Sequence, residues 1–427
     1  MRTLKLSENT KKDLLNDLLK RSPNNYGQYE TVVADIIAQV REKGDEAVFA
    51  LTSKFDHCEI TPDTLKVTKE EIEEAYAQAG NDFVEVMQKS AENIRLFHEK
   101  QLRSSWFDPR PDGTILGMKM LPIATAGVYV PGGKAAYPSS VLMNVIPAKV
   151  AGVERIIMLT PPDGKVNPGT LAAANIAGVD EIYKAGGAQA IAAMAFGTES
   201  IPKVDKITGP GNIFVALAKK ACFGYVSIDS IAGPSEILVI ADETANPRYV
   251  AADLLSQAEH DELASAILIT TSESTAAKVS EEIDGFLSSL SRSDTIRKSL
   301  DNYGYILIAD SLDSAIDTAN EIASEHLEIL TKDPYSVMTK IRNAGAIFLG
   351  EYSSEPLGDY FAGPNHVLPT NGTAKFFSPL NVDDFMKKTS IISYSREALE
   401  KVHKDIELFA EREGLTAHAN SIKVRFE

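Results

Sequence analysis

Cysteine is scarce in this sequence of 427 residues, which contains two cysteines and one tryptophan. Cys58 and Cys222 lie far apart and form no CxxC pair, which excludes a disulfide scaffold and fits a reducing compartment. No stretch approaches the roughly 18 apolar residues of a membrane span. The first dozen residues also lack the apolar core of a secretory signal. We therefore expect a cytoplasmic protein with no membrane partner.

Positive charge is also under-represented, since 43 Lys and Arg residues face 60 Asp and Glu residues and the formal net charge is −17. Such a field repels nucleic acid and anionic membranes, so neither is expected as a main partner. A hydrophobic fraction of 44% and a charged fraction of 24% are ordinary for a globular protein. The length is sufficient for two or more domains with separate cores. A small molecule is the expected ligand.

The pattern of apolar residues predicts four regions. Residues 1–120 carry charged helical patterns and form a helical region that packs partly on the second of two α/β domains. Residues 121–235 and 236–380 each repeat a short β-branched run, a glycine turn and a helical stretch. Residues 381–427 form a small helical tail. The predicted fold is therefore two Rossmann-like, mostly parallel α/β domains. Their strands are predicted at 126–130, 155–160, 181–184, 206–208, 226–229, 236–241, 266–270, 305–309, 327–330 and 346–349.

Candidate metal ligands are nitrogen and oxygen donors rather than thiolates. They are Gln257, His260, Asp359 and His418, a set that suits a site in which the metal also holds a substrate. Asn246 is a typical N-cap residue, and the helix that it begins places the side chains of Gln257 and His260 together, three residues apart. The alternative is a polar helix end with its histidine near the C-terminal dipole.

The adjacent residues Glu325 and His326 are candidate proton-transfer groups. If the helix through Ala319 continued, His326 would lie on its apolar face as a core histidine. The β-like run that starts at Leu327 indicates instead that the helix stops, so that the two side chains diverge toward different protons of one substrate. The Gly/Pro/Asn-rich stretch 356–369 is predicted to be a functional loop that carries Asp359 and His366.

Glycine-rich turns follow three strands of the first series, the position where open α/β sheets bind ligands. None of them completes a G-x-G-x-x-G pattern, so dinucleotide binding does not follow from these turns alone. The turns cover residues 130–133, 185–189 and 208–212.

Taken together, the motifs resemble the histidinol dehydrogenase family over nearly the whole chain. Several segments in this order are far more specific than any single one. They are Gly127-Val-Tyr-Val-Pro-Gly-Gly133, Ala185-Gly-Gly-Ala-Gln-Ala-Ile191, Ile231-Ala-Gly-Pro-Ser-Glu236, Leu255-Ser-Gln-Ala-Glu-His-Asp261, Ala323-Ser-Glu-His-Leu-Glu328, Gly358-Asp-Tyr360, Pro364-Asn-His366 and Glu413-Gly-Leu-Thr-Ala-His418.

The resemblance implies oxidation of L-histidinol to L-histidine by two NAD molecules in succession, through a histidinaldehyde-level intermediate. His326 would act as the base in both oxidations, and Glu325 would activate the water that hydrates the aldehyde. One zinc ion per site would orient the substrate rather than oxidise it. The implied zinc ligands, which also contact substrate, are Gln257, His260, Asp359 and His418. The other implied substrate contacts are Ser235, His326, His366 and Glu413, and the implied NAD contacts are Tyr129, Gln189 and Asn212.

The resemblance also implies an intertwined homodimer in which the tail bearing Glu413 and His418 reaches the partner's site. The first α/β domain would then carry NAD, and the second would carry the metal and the acid–base groups. Two other classes use part of the same residues. A zinc hydrolase would not need the glycine turns, and a non-catalytic nucleotide-binding regulator would need neither Glu325 nor the metal.

Overall fold

The computed structural model describes residues 1–21, 27–132, 137–162 and 164–427. Gly133 of the first glycine turn therefore lies outside the described residues. The chain divides into two compact units. The larger unit contains both α/β sheets and comprises Met1–Gln101 and Ile123–Phe385. The smaller unit comprises Leu102–Pro122 and Met386–Glu427.

The first α/β sheet has five parallel strands among the described residues, in the order β6-β5-β4-β7-β8. Its central strands are buried along nearly their whole length, as expected when helices cover both faces of a parallel sheet. The prediction of this sheet from β-branched runs is confirmed. The strands are β4 (Thr125–Tyr129), β5 (Arg155–Thr160), β6 (Glu181–Lys184), β7 (Lys206–Thr208) and β8 (Ser227–Ile228).

The second sheet is also parallel, with the order β1-β11-β10-β9-β12-β13 in the described part of the chain. Its edge strand β1 was not predicted, because all four of its residues are exposed and show no apolar alternation. The other five strands agree with the prediction to within a residue at either end. The strands are β1 (Arg2–Lys5), β9 (Glu236–Ala241), β10 (Ser265–Thr270), β11 (Gly304–Ile308), β12 (His326–Leu330) and β13 (Ala346–Leu349).

Helices of the larger unit pack on both faces of each sheet. Leu14 and Leu18 of the first helix are buried against the second sheet, and burying each of them contributes about 1.5–3 kcal/mol. No described helix is long and apolar enough to cross a membrane. The helices are α1 (Glu8–Lys20), α2 (Gly27–Lys43), α3 (Asp45–Asp56), α4 (Pro62–Leu65), α5 (Lys69–Ala79), α6 (Asn81–Glu99), α7 (Pro138–Ala151), α8 (Pro168–Ala177), α9 (Gly187–Phe196), α10 (Ile213–Cys222), α11 (Pro247–Ala258), α12 (Glu273–Leu287), α13 (Ser293–Tyr303), α14 (Leu312–Ile322), α15 (Pro334–Met338) and α16 (Glu355–Leu357).

The smaller unit contains an antiparallel sheet of order β14-β3-β2, which the sequence did not predict. Its strands are largely exposed, so they lack the apolar alternation by which strands are recognised. Residues 414–421, where a chain end would be expected to fray, lie mostly in a helix. The elements are β2 (Trp106–Pro109), β3 (Ile115–Pro122), β14 (Met386–Ser393), α17 (Arg396–Glu400), α18 (His403–Arg412) and α19 (Thr416–Lys423).

The turn between α14 and β12 determines where the candidate proton-transfer groups lie. The helix ends at Ile322, and Ala323 takes a left-handed conformation with φ of 54°. The chain then enters β12 at His326, which pairs in register with Ile237 of β9. Glu325 therefore lies beside Glu236, at the amino ends of two neighbouring strands. His326 is not a residue of the helix face, which removes the core-helix alternative.

Candidate active site

Glu325 and His326 are held by the first residue of β9. The backbone N–H of Glu236 donates to Oε2 of Glu325 at 2.9 Å, and the carbonyl of Glu236 lies 3.0 Å from Nδ1 of His326. Both side chains are almost fully buried. Strand pairing thus fixes the two adjacent side chains in different directions. A carboxylate and an imidazole that act on different protons require such an arrangement.

The hydrogen bond to Nδ1 determines the tautomer of His326. A carbonyl oxygen can only accept, so Nδ1 carries the proton and Nε2 keeps its lone pair. Nε2 is buried without a hydrogen-bond partner among the described residues, and the carboxylate oxygen Oδ1 of Asp359 lies 3.9 Å away. Burial lowers the pKa of His326 to about 3. The imidazole is therefore neutral at physiological pH and able to accept a proton.

The buried carboxyl group of Glu355 and the partly buried one of Asp359 lie next to the imidazole of His326. Possible ligand atoms of His326, Glu355 and Asp359 lie within 4.8 Å of one another. Glu355 begins α16, and Asp359 lies in the π-helical turn Gly358–Ala362 that follows it. Burial raises the pKa of both carboxyl groups, and the nearby charge of Asp359 raises that of Glu355 further. Adjacent buried carboxylates of this kind are stabilised by a cation between or beside them.

Helix α11 contacts one of these carboxyl groups through Ser256, the residue before Gln257. Asn246 caps the helix as predicted, because its side chain accepts from the N–H of Arg248. Oγ of Ser256 donates to Oε2 of Glu355 at 3.0 Å. The next residue, Gln257, is 1% exposed, and neither atom of its amide has a hydrogen-bond partner in the described part of the chain. A buried amide without partners is costly, which indicates a ligand of its own.

His260 lies just beyond the end of α11, where its backbone N–H donates to the carbonyl of Gln257 at 3.1 Å. The prediction that Gln257 and His260 share one helical face needs a helix that continues to residue 260. The helix ends two residues earlier, at Ala258. The imidazole is exposed, and it lies close enough for its charge to lower the pKa values of His326 and Glu355. His260 therefore lies near His326 and Glu355, and a turn after α11 rather than the helix itself places it there.

The predicted cofactor residues lie at the carboxyl edge of the first sheet. Tyr129 ends β4, and its hydroxyl accepts from the N–H of Gly187 at 3.1 Å. Gln189 follows in α9 and is 1% exposed, with its Nε2 unpartnered among the described residues. Asn212 caps α10 by accepting from the N–H groups of Phe214 and Val215. This edge is where open α/β sheets bind ligands.

His366 contacts both α7, the helix that follows β4, and the backbone of Asp359. Its Nδ1 lies 3.2 Å from the carbonyl of Asp359, and its Nε2 lies 3.5 Å from Oγ of Ser140 in α7. Burial lowers the pKa of His366 to about 4, so this imidazole is neutral as well. A ligand that contacts His366 would therefore lie between the carboxyl edge of the first sheet and the acid–base groups of the second.

Comparisons with known proteins agree with this arrangement. The family profile described as histidinol dehydrogenase matches residues 19–426. The chain belongs to the histidinol dehydrogenase family. It is 59% identical to histidinol dehydrogenase of Bacillus subtilis over 92% of each chain. It is 58% identical to that of Halalkalibacterium halodurans over 93% of this chain and 94% of the relative. The crystal structure of histidinol dehydrogenase from Elizabethkingia anophelis matches with a TM-score of 0.94 and 38% identity, over 100% of this chain and 98% of that one.

The larger unit brings four of the residues predicted from this family's motifs, Glu325, His326, Asp359 and His366, into one connected group. Ser256, which precedes Gln257 in α11, donates to the neighbouring Glu355. Ser235 immediately precedes Glu236 and is half-buried. The remaining predicted residues, Glu413 and His418, are exposed and lie in the smaller unit, at the end of α18 and in α19.

Three residues of the site neighbourhood were missed by sequence reasoning: Arg21, Glu236 and Glu355. Glu355 precedes Asp359 by four residues, the spacing of neighbouring side chains on a helix, and this spacing was a usable signal. Arg21 and Glu236 offered no such signal. They lie 215 residues apart in the sequence, and a charged side chain is ordinarily expected at the surface.

Proposed function

We propose that this protein oxidises L-histidinol to L-histidine with two molecules of NAD in succession, the last steps of histidine biosynthesis. Membership of the histidinol dehydrogenase family supports this activity. The observation that carries the proposal is the joint placement of Glu325 and His326. The imidazole of His326 has a free Nε2 in the described part of the chain, and it lies beside the buried carboxylate of Glu325 and the possible ligand atoms of Glu355 and Asp359.

The proposal includes one zinc ion held by Gln257, His260 and Asp359, with His418 as the fourth ligand. Nitrogen and oxygen donors without thiolate are typical of zinc sites that also bind a substrate. The unpartnered amide of Gln257 and the raised pKa of Asp359 support a cation at this place. Glu355 lies close enough to replace or support Asp359 as a ligand. Bound zinc would act as a Lewis acid that orients the amino alcohol.

His326 and Glu325 then divide the proton transfers between them. Nε2 of His326 accepts the hydroxyl proton of the alcohol while the carbinol hydride passes to NAD. The Glu325 carboxylate accepts a proton from the water that adds to the aldehyde carbon. Burial and the negative charge of Glu236 both raise the pKa of Glu325, which makes its carboxylate a stronger base. His326 accepts the second hydroxyl proton when the aldehyde hydrate is oxidised.

Binding of NAD is proposed at the carboxyl edge of the first sheet, with contacts to Tyr129, Gln189 and Asn212. The free Nε2 of buried Gln189 supports this placement because it lacks a partner in the described residues. Ser235, His366 and Glu413 are proposed to contact the substrate. Since His366 bridges toward α7, a substrate next to it would have the cofactor edge on one side and His326 on the other.

A homodimer with exchanged tails is part of the proposal. Glu413 and His418 line one groove of the smaller unit, together with the apolar residues Phe409 and Leu415. Phe409 is 69% exposed and Leu415 is 42% exposed. Large exposed apolar side chains next to candidate ligands support a partner subunit that covers the groove. We also propose a cytoplasmic location, with neither nucleic acid nor a membrane as partner.

The test is the stoichiometry of NADH formed from protein, zinc, NAD and a limiting amount of L-histidinol. Two NADH per histidinol support the proposal, whereas one indicates release of the aldehyde. No NADH would contradict the proposal and favour a zinc hydrolase or a regulator. Chelation by EDTA should remove the activity and added zinc should restore it. Metal analysis of the purified protein identifies the ion it holds.

A further inference from the structure

A fully buried arginine lies behind the acid–base pair. Arg21 follows α1 and is 0% exposed, and its Nη2 forms an ion pair with Oε1 of Glu236 at the start of β9. Its Nη1 donates to the carbonyl of Leu263 at 2.7 Å. A guanidinium stays charged at every physiological pH, and burying it is costly unless it is paired. The contact therefore needs an explanation beyond packing.

The carboxylate of Glu236 is occupied by donors on both oxygens. Oε1 accepts from Arg21 and from the N–H of Asn371 at 3.1 Å, and Oε2 accepts from the N–H of Glu325 at 3.3 Å. Burial raises the pKa of Glu236 above its usual range, although Arg21 and the N–H groups of Asn371 and Glu325 act to lower it. Because each group that contacts its side-chain oxygens is a donor, the anion is the form that these contacts favour. A carboxylate used in this way serves as an anchor rather than as a base.

The same residue holds both proton-transfer groups. Glu236 and Glu325 each accept the other's backbone N–H through a side-chain oxygen, and the carbonyl of Glu236 accepts from Nδ1 of His326. Loss of the Arg21 contact would leave a buried anion free to rotate or protonate. Either change would release the N–H of Glu325 and shift the strand ends that orient both side chains.

We propose that Arg21 and Glu236 are positioning residues, which hold Glu325 and His326 in the geometry for proton transfer without touching substrate. This inference rests on the proposed function. Displacing a reacting group by about 1 Å can cost 10²-fold in rate, and removing an outer partner of a site residue typically costs 10–100-fold. The expected effect is therefore on kcat. The proposed NAD contacts lie at the carboxyl edge of the first sheet, whereas Glu236 belongs to the second sheet. The KM for NAD should therefore change little.

The experiment compares Arg21→Met, Arg21→Lys and Glu236→Gln with the wild-type protein, using histidinol and then histidinal as substrate. The first and third variants should lower kcat for both substrates by about 10–100-fold, with the KM for NAD within about twofold. Zinc content should stay unchanged. Arg21→Lys should retain part of the rate, because lysine keeps the charge but cannot reach both Glu236 and the carbonyl of Leu263 with a planar guanidinium.

Asp17→Asn is the matched control. Asp17 anchors the same helix through Arg2, Lys20 and Tyr305, and this substitution leaves the contact of Arg21 with Glu236 in place. It should lower thermal stability and leave kcat unchanged. Equal losses of kcat in Asp17→Asn and Arg21→Met would overturn the inference, because loosening of α1 would then explain both. Unchanged kcat in a folded Arg21→Met variant would also overturn it.

A variant that fails to fold does not end the test. Glu236→Gln keeps the shape of the side chain, and its kcat then decides the matter by the same criteria. The wild-type assay separates this inference from the proposed function. If wild-type protein with zinc forms no NADH from histidinol, the proposed reaction itself is wrong. If the wild type is active and both folded variants retain full kcat, only the positioning role is wrong.

Discussion

Replacing Gln257 with methionine tests whether this buried amide is kept for a metal. Methionine has nearly the same volume, so packing changes little. It removes two polar atoms that have no hydrogen-bond partner in the described residues. An unsatisfied buried polar group costs about 1–3 kcal/mol. The metal-free variant should therefore be more stable than the metal-free wild type by about 2 kcal/mol, or roughly 2–4 °C in melting temperature.

Added zinc should stabilise the wild type more than the Gln257→Met variant. At a free concentration of 100 times Kd, a ligand stabilises the native state by about 2.7 kcal/mol. Losing the amide should weaken binding by about 100-fold, which leaves about 0.4 kcal/mol at the same concentration. Differential scanning fluorimetry with EDTA and with buffered zinc measures both quantities. The variant should melt above the wild type without zinc and gain little when zinc is added.

Gln189 provides the matched control, because it is also 1% exposed with an unpartnered Nε2. Gln189→Met should likewise stabilise the metal-free protein, but it should keep the full zinc response and lose NAD affinity. Gln257→Met should keep its affinity for NAD in titrations and lose most of the zinc response. A metal-free Gln257→Met variant that is less stable than the wild type, with an undiminished zinc shift, would refute the reasoning.

Three further outcomes are expected. Glu325→Gln should slow the oxidation of histidinal more than that of histidinol in single-turnover assays, and equal slowing would contradict a dedicated role in water activation. Deleting everything after Arg412 should abolish zinc-supported turnover while circular dichroism shows a folded core, so activity in that truncation would refute the role of the tail. Burial alone would raise the pKa of Asp17, but hydrogen bonds from Lys20, Tyr305 and Arg2 lower it to about 2. Asp17→Asn should thus cost about 1–2 kcal/mol at pH 7. In urea denaturation this difference should vanish as the pH falls from about 4 to about 2, because the stabilisation belongs to the ionised form.

The C-terminal tail is more ordered than its sequence pattern predicts. A chain end with alternating small and polar residues gives no apolar stripe, and fraying is the ordinary expectation for Gly414–Ser421. The structure instead places most of this stretch in α19. The family motif ending at His418 predicts a functional role for this stretch, whereas periodicity alone predicts none. Helical structure there depends on contacts with α18, which a local pattern cannot reveal.

The sequence predicted ten strands of the two parallel sheets from β-branched runs. Most of these strands are buried on both faces, which leaves a continuous apolar signature in the segment. The missed strands are β1, β2, β3 and β14. Three of them are mostly exposed and β3 has only two buried residues, so none carries such a signature. The N-cap at Asn246 was likewise readable, since capping involves only residues within one turn.

What the sequence by itself determined is the local structure and, through ordered motifs, the candidates for the reacting groups. Glu325, His326 and Asp359 could be named from the chain alone. Only the tertiary structure decided their surroundings: Glu355 beside Asp359, and the link from Arg21 through Glu236 to Glu325. Strand order sets β9 next to β12 although β10 and β11 intervene in the sequence. Contacts between such distant residues arise from packing of whole elements, and no local pattern records them.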